Sequence, residues 1–400
     1  MGWNKVAIVG VAQLKFGEHF DKSYEAMIEE VYLDLLASVD KGVEPGEIQA
    51  GWIGTGVASL GGWEAVSGSS LAGCVGLTGI PVTRVENGCP TGSDAFRNAC
   101  LGVASGVYDV VLVIGCEKMR DKPSDEGLLA MGSVGHAILT RAGTAPAQFA
   151  PQATRHMHEF GTTKEQMAMV AVKNHYNGTL CPYSHYQYEV TIEDVLNSPM
   201  VCWPFNLLDC CPITDGAAGA ILCRADLAGK YTDRPVYVAG FGMASTHQFA
   251  FEQEDFTSFN ATVKAAEQAY KMAGVGPEDI DVVEAHDCFT MTEIINYEDL
   301  GFCEKGKGGE LIESGETQLS GRIPWNPSGG LLAKGHPLGC TGIAQITELV
   351  WQLRGDIISG QSEKSQKRQV EVKNGYALQH NVGGRGVGNS CVTILTIRKD

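Results

Sequence analysis

The order strand, helix, proline turn, strand occurs twice in this chain, and that repetition limits the fold more than any other feature. Near the start, Val6-Ala7-Ile8-Val9-Gly10 leads through a helical stretch to Gly42-Val43-Glu44-Pro45-Gly46-Glu47-Ile48 and then Ala50-Gly51-Trp52-Ile53-Gly54. In the second half, Val236-Tyr237-Val238-Ala239-Gly240 leads through a helix around Ala261 to Ala273 into Gly274-Val275-Gly276-Pro277-Glu278-Asp279-Ile280, followed by Asp281-Val282-Val283-Glu284-Ala285. Nearly constant offsets favour a duplicated α/β half over coincidence. The boundary is expected near Tyr231 to Arg234, where polar residues and a proline follow the strand Ala217 to Cys223, dividing the chain into 1–232 and 233–400. A chain of 400 residues is long enough for two such cores, and its 50 glycines suit an α/β enzyme with many tight turns.

A formal charge of −17 argues against nucleic-acid or anionic-membrane surfaces, which need clustered Lys and Arg. The apolar start Val6 to Gly10 is too short and strand-like for a signal peptide, and no run approaches a membrane span, so a cytoplasmic chain is expected. Thirteen cysteines include no Cys-x-x-Cys pair and no zinc-module spacing. Free thiols in a reducing compartment and no metal site are the expectation, with adjacent Cys210-Cys211 read as packing and not a disulfide.

Between Asp121 and about Ile213, Met, His, Tyr and Pro appear without regular strand alternation, as in an insertion that covers a site. Thr163 to Gln166 has the form of a capping box for a helix from Met167 to Asn174. The histidines there (His136, His156, His158, His175, His185) share no ligand spacing and read as surface or packing groups.

Cys89 is different. Ile80, Val82 and Val85 before it read as a buried strand, and Ala95, Phe96, Ala99 and Val103 after it recur with helical spacing. A buried packing role is the ordinary fate of a cysteine. A thiol at a helix start, flanked by Gly88, Pro90 and Gly92, instead meets unpaired N–H groups and a dipole that favour thiolate. His286-Asp287-Cys288-Phe289-Thr290 begins at the carboxyl end of the strand Asp281 to Ala285, where open α/β sheets gather reactive groups. Asn326-Pro327-Ser328-Gly329-Gly330 precedes Lys334-Gly335-His336-Pro337, which opens a helix with Ile343, Ile346, Leu349, Val350 and Leu353 on one face. The last constellation is His380-Asn381-Val382-Gly383-Gly384-Arg385-Gly386, whose glycines free backbone N–H groups to face an oxyanion.

In order and spacing, Asn87-Gly88-Cys89-Pro90-Thr91-Gly92, His286-Asp287-Cys288-Phe289, Gly335-His336-Pro337 and His380-Asn381-Val382-Gly383-Gly384 resemble the four catalytic loops of the thiolase superfamily, essentially from Val6 to Ile397. The chain is similar to the sterol-carrier-protein-type subgroup. Most other thiolases carry Asn-Glu-Ala-Phe in the second loop and Cys-x-Gly in the fourth, and many have small Ser residues where this chain has Pro90-Thr91. The resemblance implies a thiolase fold, two duplicated α/β halves packed as a five-layered αβαβα sandwich with an inserted loop domain. It also implies an enzyme that cleaves or forms a 3-ketoacyl-CoA. Cys89 would carry the acyl group and His336 would act as base and oxyanion donor. Cys288 would be the acid/base, needing a pKa near the working pH, and His286 would hold a water or oxyanion. Backbone N–H groups of Cys89, Gly383 and Gly384 would form an oxyanion hole. Asn326 is counted with the substrate-binding residues, and His380 stands where the usual second cysteine would be. No permanently bound cofactor is implied, coenzyme A and acyl-CoA being substrates. A homodimer or higher oligomer and a small OB-fold zinc-ribbon partner protein are the implied assemblies. Catabolic thiolysis of a branched or aromatic 3-ketoacyl-CoA, such as an aroylsuccinyl-CoA, is one specific role. A non-catalytic scaffolding subunit for lipid or partner binding, or transfer to a non-CoA acceptor, are the alternatives.

Overall fold

Continuous apolar runs mark the deepest strands: β1 (Val6–Gln13) and β4 (Val110–Glu117) are buried at every position, as expected of strands covered on both faces. With β2 (Ala50–Gly54), β3 (Val82–Val85), β5 (Gly216–Arg224), β6 (Val236–Ser245), β7 (Val282–Glu284), β8 (Tyr376–Gly383) and β9 (Asn389–Thr396), they form a nine-stranded ladder, β3-β2-β4-β5-β1-β6-β9-β8-β7. The computed structural model describes residues 3–56, 67–123, 144–247, 252–384 and 387–399.

From its centre outward the ladder reads alike in both directions. On one side β1 and β5 pair antiparallel, as do β5 and β4, while β4 and β3 both run parallel to β2. On the other, β6 and β9 pair antiparallel, as do β9 and β8, β8 runs parallel to β7, and Val283 bridges in parallel to Trp325. The seam is short, Ala7 opposite Tyr237 and Ile8 opposite Val236.

The helices that matter for the site are α1 (Tyr24–Ala37), α2 (Thr91–Ala104), α3 (Ala145–Phe160), α4 (Lys164–Leu180), α5 (Asn260–Ala273), α6 (Thr290–Asp299) and α7 (Leu338–Arg354). Met27, Val31 and Leu35 of α1 pack on the outer face of the first half, against Ile114 and Ile221. Phe96 and Ala99 of α2 and Ile343, Ile346 and Val350 of α7 meet Val111 and Leu222 from one half and Val238 and Leu395 from the other. Helices α5 and α6, with α3 and α4, cover the far face of the second half. The result is five layers, helix–sheet–helix–sheet–helix. Each fully buried aliphatic side chain in them contributes about 1.5–3 kcal/mol.

Three expectations change. Helix α7 is buried on all sides except at Trp351 and Arg354, not along one face, because it lies in the middle layer with a sheet half on either side. A Cβ at Gly115 of β4 would sit 2.0 Å from the Gly339 carbonyl oxygen, so the missing side chain lets the start of α7 seat directly on the sheet. Strand β3 is half-exposed, with Val82 and Val85 only partly covered, because it is the outermost strand. The region read as an irregular insertion contains α3, α4 with its Thr163–Gln166 capping box, and a small hairpin pairing Met200–Cys202 with Phe205–Asn206. His136 lies outside the described residues.

Candidate active site

The reactive side chains sit where strands end or helices begin. Cys89 follows β3, just ahead of α2 and its N-cap Pro90. Thr91 holds this turn, its hydroxyl donating to the Gly88 carbonyl (2.6 Å) and accepting from the Asn87 N–H (2.9 Å). Asn389 of β9 donates to Asn87 (2.7 Å), tying the loop to the second half. His286 and Cys288 lie between β7 and α6, His336 just ahead of α7, and Gly383-Gly384 at the end of β8.

These segments converge. Cys89 Sγ and one ring nitrogen from each of His286 and His336 lie within 4.8 Å of one another. The two rings meet edge to face with centroids 4.9 Å apart. Nδ1 of His336 is bonded to the Thr341 hydroxyl (2.8 Å) and Nδ1 of His286 to the Asn381 side-chain amide (3.3 Å). Nε2 of each ring is buried and makes no hydrogen bond among the described residues. A Cβ on Gly383 would lie 2.6 Å from Cys89 Sγ, so glycine there lets the β8 backbone lie against the sulfur. Spacing in the sequence predicted no metal-ligand group, yet folding assembles a Cys, His, His set, from residues too far apart in the chain for spacing to show it.

Burial dominates the electrostatics. It pushes the Cys89 thiol up to about 11, although N–H groups of Gly384 and of Cys89 itself pull the other way. The helix-start position therefore does not leave a standing thiolate, contrary to the expectation from the dipole alone. Burial also pushes His336 and His380 down to about 3, and His286 well below the usual range, with His336 and His380 adding to the effect. At rest the cluster is a thiol beside neutral imidazoles, and attack by sulfur requires proton transfer to a base. Cys288 is 4% exposed and is pushed well above the ordinary thiol range by burial first, then by Cys211 and Cys89. The expected poise near working pH is absent in this resting arrangement.

Two models of the thiolase family match, the N-terminal domain over residues 6–203 and the C-terminal domain-like model over 242–396. The chain belongs to the thiolase family. An acetyl-CoA acetyltransferase of Methanothermobacter thermautotrophicus is 46% identical over 98% of this chain and 99% of that protein. Sterol carrier protein 2 of Gallus gallus is 37% identical, covering 98% of this chain and 71% of its own length. Benzoylsuccinyl-CoA thiolase subunit BbsB of Thauera aromatica is 32% identical over 95% of each chain. Among solved structures, an Ltp2-ChsH2(DUF35) aldolase aligns over 99% of this chain and 98% of its own with a TM-score of 0.82 at 25% identity. This thiolase is thus an acyltransferase enzyme acting on CoA thioesters.

Several residues behave differently from the sequence reading. Asn326, counted with the substrate-binding residues, is engaged with the scaffold: its Nδ2 donates to Glu293 (2.7 Å) and its Oδ1 accepts the Ala285 N–H (2.8 Å). His380 is fully buried, with Nε2 on the Thr262 hydroxyl (3.1 Å) and Nδ1 unpartnered among the described residues. Asn381, beside it on β8, was missed although it contacts His286; strand alternation sends the two side chains to opposite faces. Cys211 was also missed. Its N–H donates to the Cys288 carbonyl (2.9 Å), in register with the bridge between Cys210 and Phe289, and all thirteen cysteines are free. Of the insertion's histidines, His156 is fully buried on Glu298 (3.0 Å) and His185 bonds Thr214 (2.9 Å). No described helix is long and apolar enough to cross a membrane.

Proposed function

We propose that this thiolase interconverts a 3-ketoacyl-CoA and two acyl-CoA molecules through an acyl group carried on Cys89. In the cleavage direction Cys89 Sγ attacks the 3-keto carbon and its proton passes to His336 Nε2. The carbon–carbon bond breaks, the acyl group stays on sulfur, and the acetyl-CoA enolate takes a proton from Cys288. The thiol of incoming CoA attacks the acyl carbon and returns a proton to Cys288, and His336 gives its proton back to the departing Cys89. Backbone N–H groups of Cys89 and Gly384 face the oxyanion of the tetrahedral intermediate, and His286 faces the thioester or keto oxygen. Both catalytic protons come from groups that burial holds neutral, so charge appears only as the reaction proceeds.

The observation that carries this reading is the convergence of Cys89 Sγ with His286 and His336, each ring leaving a buried Nε2 unpartnered. A scaffolding subunit has no use for two such atoms, each costing about 1–3 kcal/mol to bury.

For the substrate, we take acetyl-CoA and acetoacetyl-CoA, on the near full-length similarity to the archaeal acetyl-CoA acetyltransferase. A benzoylsuccinyl-CoA type substrate is the second reading, favoured by the similarity to BbsB. A small partner protein is proposed from the structural neighbour whose name includes ChsH2(DUF35). The test is steady-state thiolysis of acetoacetyl-CoA and of an aroylsuccinyl-CoA, with and without such a partner. Ping-pong kinetics are expected with acetoacetyl-CoA, and Cys288→Ala is expected to stop turnover while sparing acylation of Cys89. Condensation that survives Cys288→Ala would transfer the acid/base role to another group, His380 first.

A further inference from the structure

A thiol and two imidazoles within 4.8 Å suit two different chemistries. With both Nε2 atoms as lone pairs, the set is a three-ligand site for a soft divalent cation such as zinc. With one Nε2 as lone pair and the other as N–H, it is a base beside an oxyanion donor. The tautomers decide between these, and the partner of each Nδ1 decides the tautomer.

For His336 the partner is Thr341. Its hydroxyl donates to the Pro337 carbonyl (3.0 Å), so toward the ring it accepts, at 2.8 Å from Nδ1. Donating to that carbonyl leaves the hydroxyl to accept from Nδ1–H and leaves Nε2 as the lone pair, the form in which the function proposed above uses His336 as a base.

For His286 the partner is Asn381, and the orientation of one amide settles the matter. The Asn381 atom nearest Nδ1 (3.3 Å) also lies 2.8 Å from the His380 carbonyl oxygen and 2.9 Å from Gln345 Oε1. A backbone carbonyl only accepts, so that atom is the amide nitrogen. The amide oxygen correspondingly accepts from the Ser93 hydroxyl (2.8 Å) at the start of α2. Turning the amide over would set two oxygens 2.8 Å apart against a carbonyl that has no freedom to turn. The two hydrogens of that nitrogen go to the two nearer oxygens, and an amide nitrogen does not accept, so a proton on Nδ1 of His286 would face a group that cannot take it; the ring proton is placed on Nε2 instead.

We propose that Asn381 is a positioning residue that fixes His286 as the Nε2–H tautomer, opposite to His336, and so makes the cluster a base and a hydrogen-bond donor beside Cys89 in place of a metal-binding pair. Its catalytic consequence rests on the acyl-enzyme reading above. The ring protonation itself is a property of the resting protein and stands or falls separately.

The experiment is long-range proton–nitrogen NMR on protein labelled with ¹⁵N-histidine, with His286 and His336 assigned by single substitutions. The expected spectrum of the wild-type protein shows Nε2 protonated in His286 and Nδ1 protonated in His336. A His286 protonated at Nδ1 overturns the proposal, whether or not the protein turns over acetoacetyl-CoA. Absence of turnover with the expected tautomers removes the functional reading and leaves the proposal intact. The variant Asn381→Asp sharpens the test. Its carboxylate would accept from Nδ1–H, move the lone pair to Nε2 and complete a carboxylate–histidine pair of the kind that supports metal ligands. Cobalt(II) is the probe. The variant is expected to bind it at least about tenfold more tightly than the wild type, with thiolate-to-cobalt absorption, since such outer partners change affinity about 10–100-fold. Its kcat is expected to fall about 10²–10³-fold, the usual cost of one oxyanion donor, with little change in KM. Equal cobalt affinity in the folded variant and the wild type contradicts the proposal, and if the variant does not fold the wild-type spectrum alone decides.

Discussion

Two clusters of buried polar groups meet around β7 and α6, and they differ in how completely their hydrogen bonds are made. In the first, Glu293 accepts from Lys173 (2.8 Å), Tyr297 (2.5 Å), Asn174 (2.7 Å) and Asn326 (2.7 Å). Asp287 accepts from Asn174 (2.6 Å) and the Leu331 N–H (2.6 Å), and burial and the Glu293 carboxylate together hold it well above the usual carboxylate range. No side-chain atom of Lys173, Asn174, Asp287, Glu293 or Asn326 is left over. In the second cluster, His286 is as deeply placed and His336 is also buried, yet each keeps Nε2 without a partner among the described residues. Burial alone thus does not separate scaffold from site. On the function proposed above, the satisfied cluster fixes the loops and the unsatisfied one receives substrate atoms.

Substitutions in the unsatisfied cluster are expected to remove activity and spare the fold. Cys89→Ala should lower kcat/KM by at least about 10⁴-fold, with unchanged circular dichroism and denaturant midpoint. His336→Ala should cost about 10²–10⁴-fold in kcat, the range of a lost general base. Gly383→Ala is subtler, because the new Cβ meets Cys89 first, 2.5 Å from its Cβ and 2.6 Å from its Sγ. A loss of about 10²-fold in kcat from the displaced sulfur is expected, with about 1–3 kcal/mol of stability lost to the overlap.

The satisfied cluster should respond in the opposite way. Glu293→Ala leaves the Lys173 ammonium buried without its counter-ion, and about 3–5 kcal/mol of stability should disappear in urea unfolding. A Glu293→Ala protein of normal stability but no activity would break the comparison. The smallest effect concerns pH. With the Cys89 thiol raised to about 11, its thiolate fraction climbs throughout the accessible range. The rate of alkylation by iodoacetamide should therefore rise about tenfold per pH unit from pH 6 to 9. A plateau beginning near pH 7 would restore the helix-dipole reading of a standing thiolate.

Much of this was legible from local signals. Apolar runs located β1 and β5, the Thr163–Gln166 capping box located α4, and glycine and proline contexts singled out Cys89 and His336. What stayed hidden depends on contacts between distant segments. The hydrophobic pattern of α7 suggested one apolar face because Gln345, Thr347 and Glu348 are polar, yet all three are buried. Glu348 meets Arg368 (3.0 Å), and Gln345 accepts from Asn381. Thiolate character was overestimated at Cys89 because the dipole is local and visible in sequence, whereas the desolvation that raises the thiol depends on segments distant in the chain, with the backbone at Gly383 lying against the sulfur. Asn326 and Asn381 show the same limit. Both sit in loops or strands flagged for chemistry, and only the partners of their amides show that Asn326 is tied to Glu293 and Ala285 while Asn381 touches the His286 ring.

The central claim is that Cys89 carries the acyl group. Incubation with acetyl-CoA, rapid acid quench and peptide mass mapping test it most directly. The prediction is an acetyl adduct on the peptide containing Cys89, formed by the wild type and by Cys288→Ala, absent from Cys89→Ala, and discharged on adding CoA. An adduct on Cys288 or Cys211 in place of Cys89, or none while the same protein turns over acetoacetyl-CoA, would contradict it.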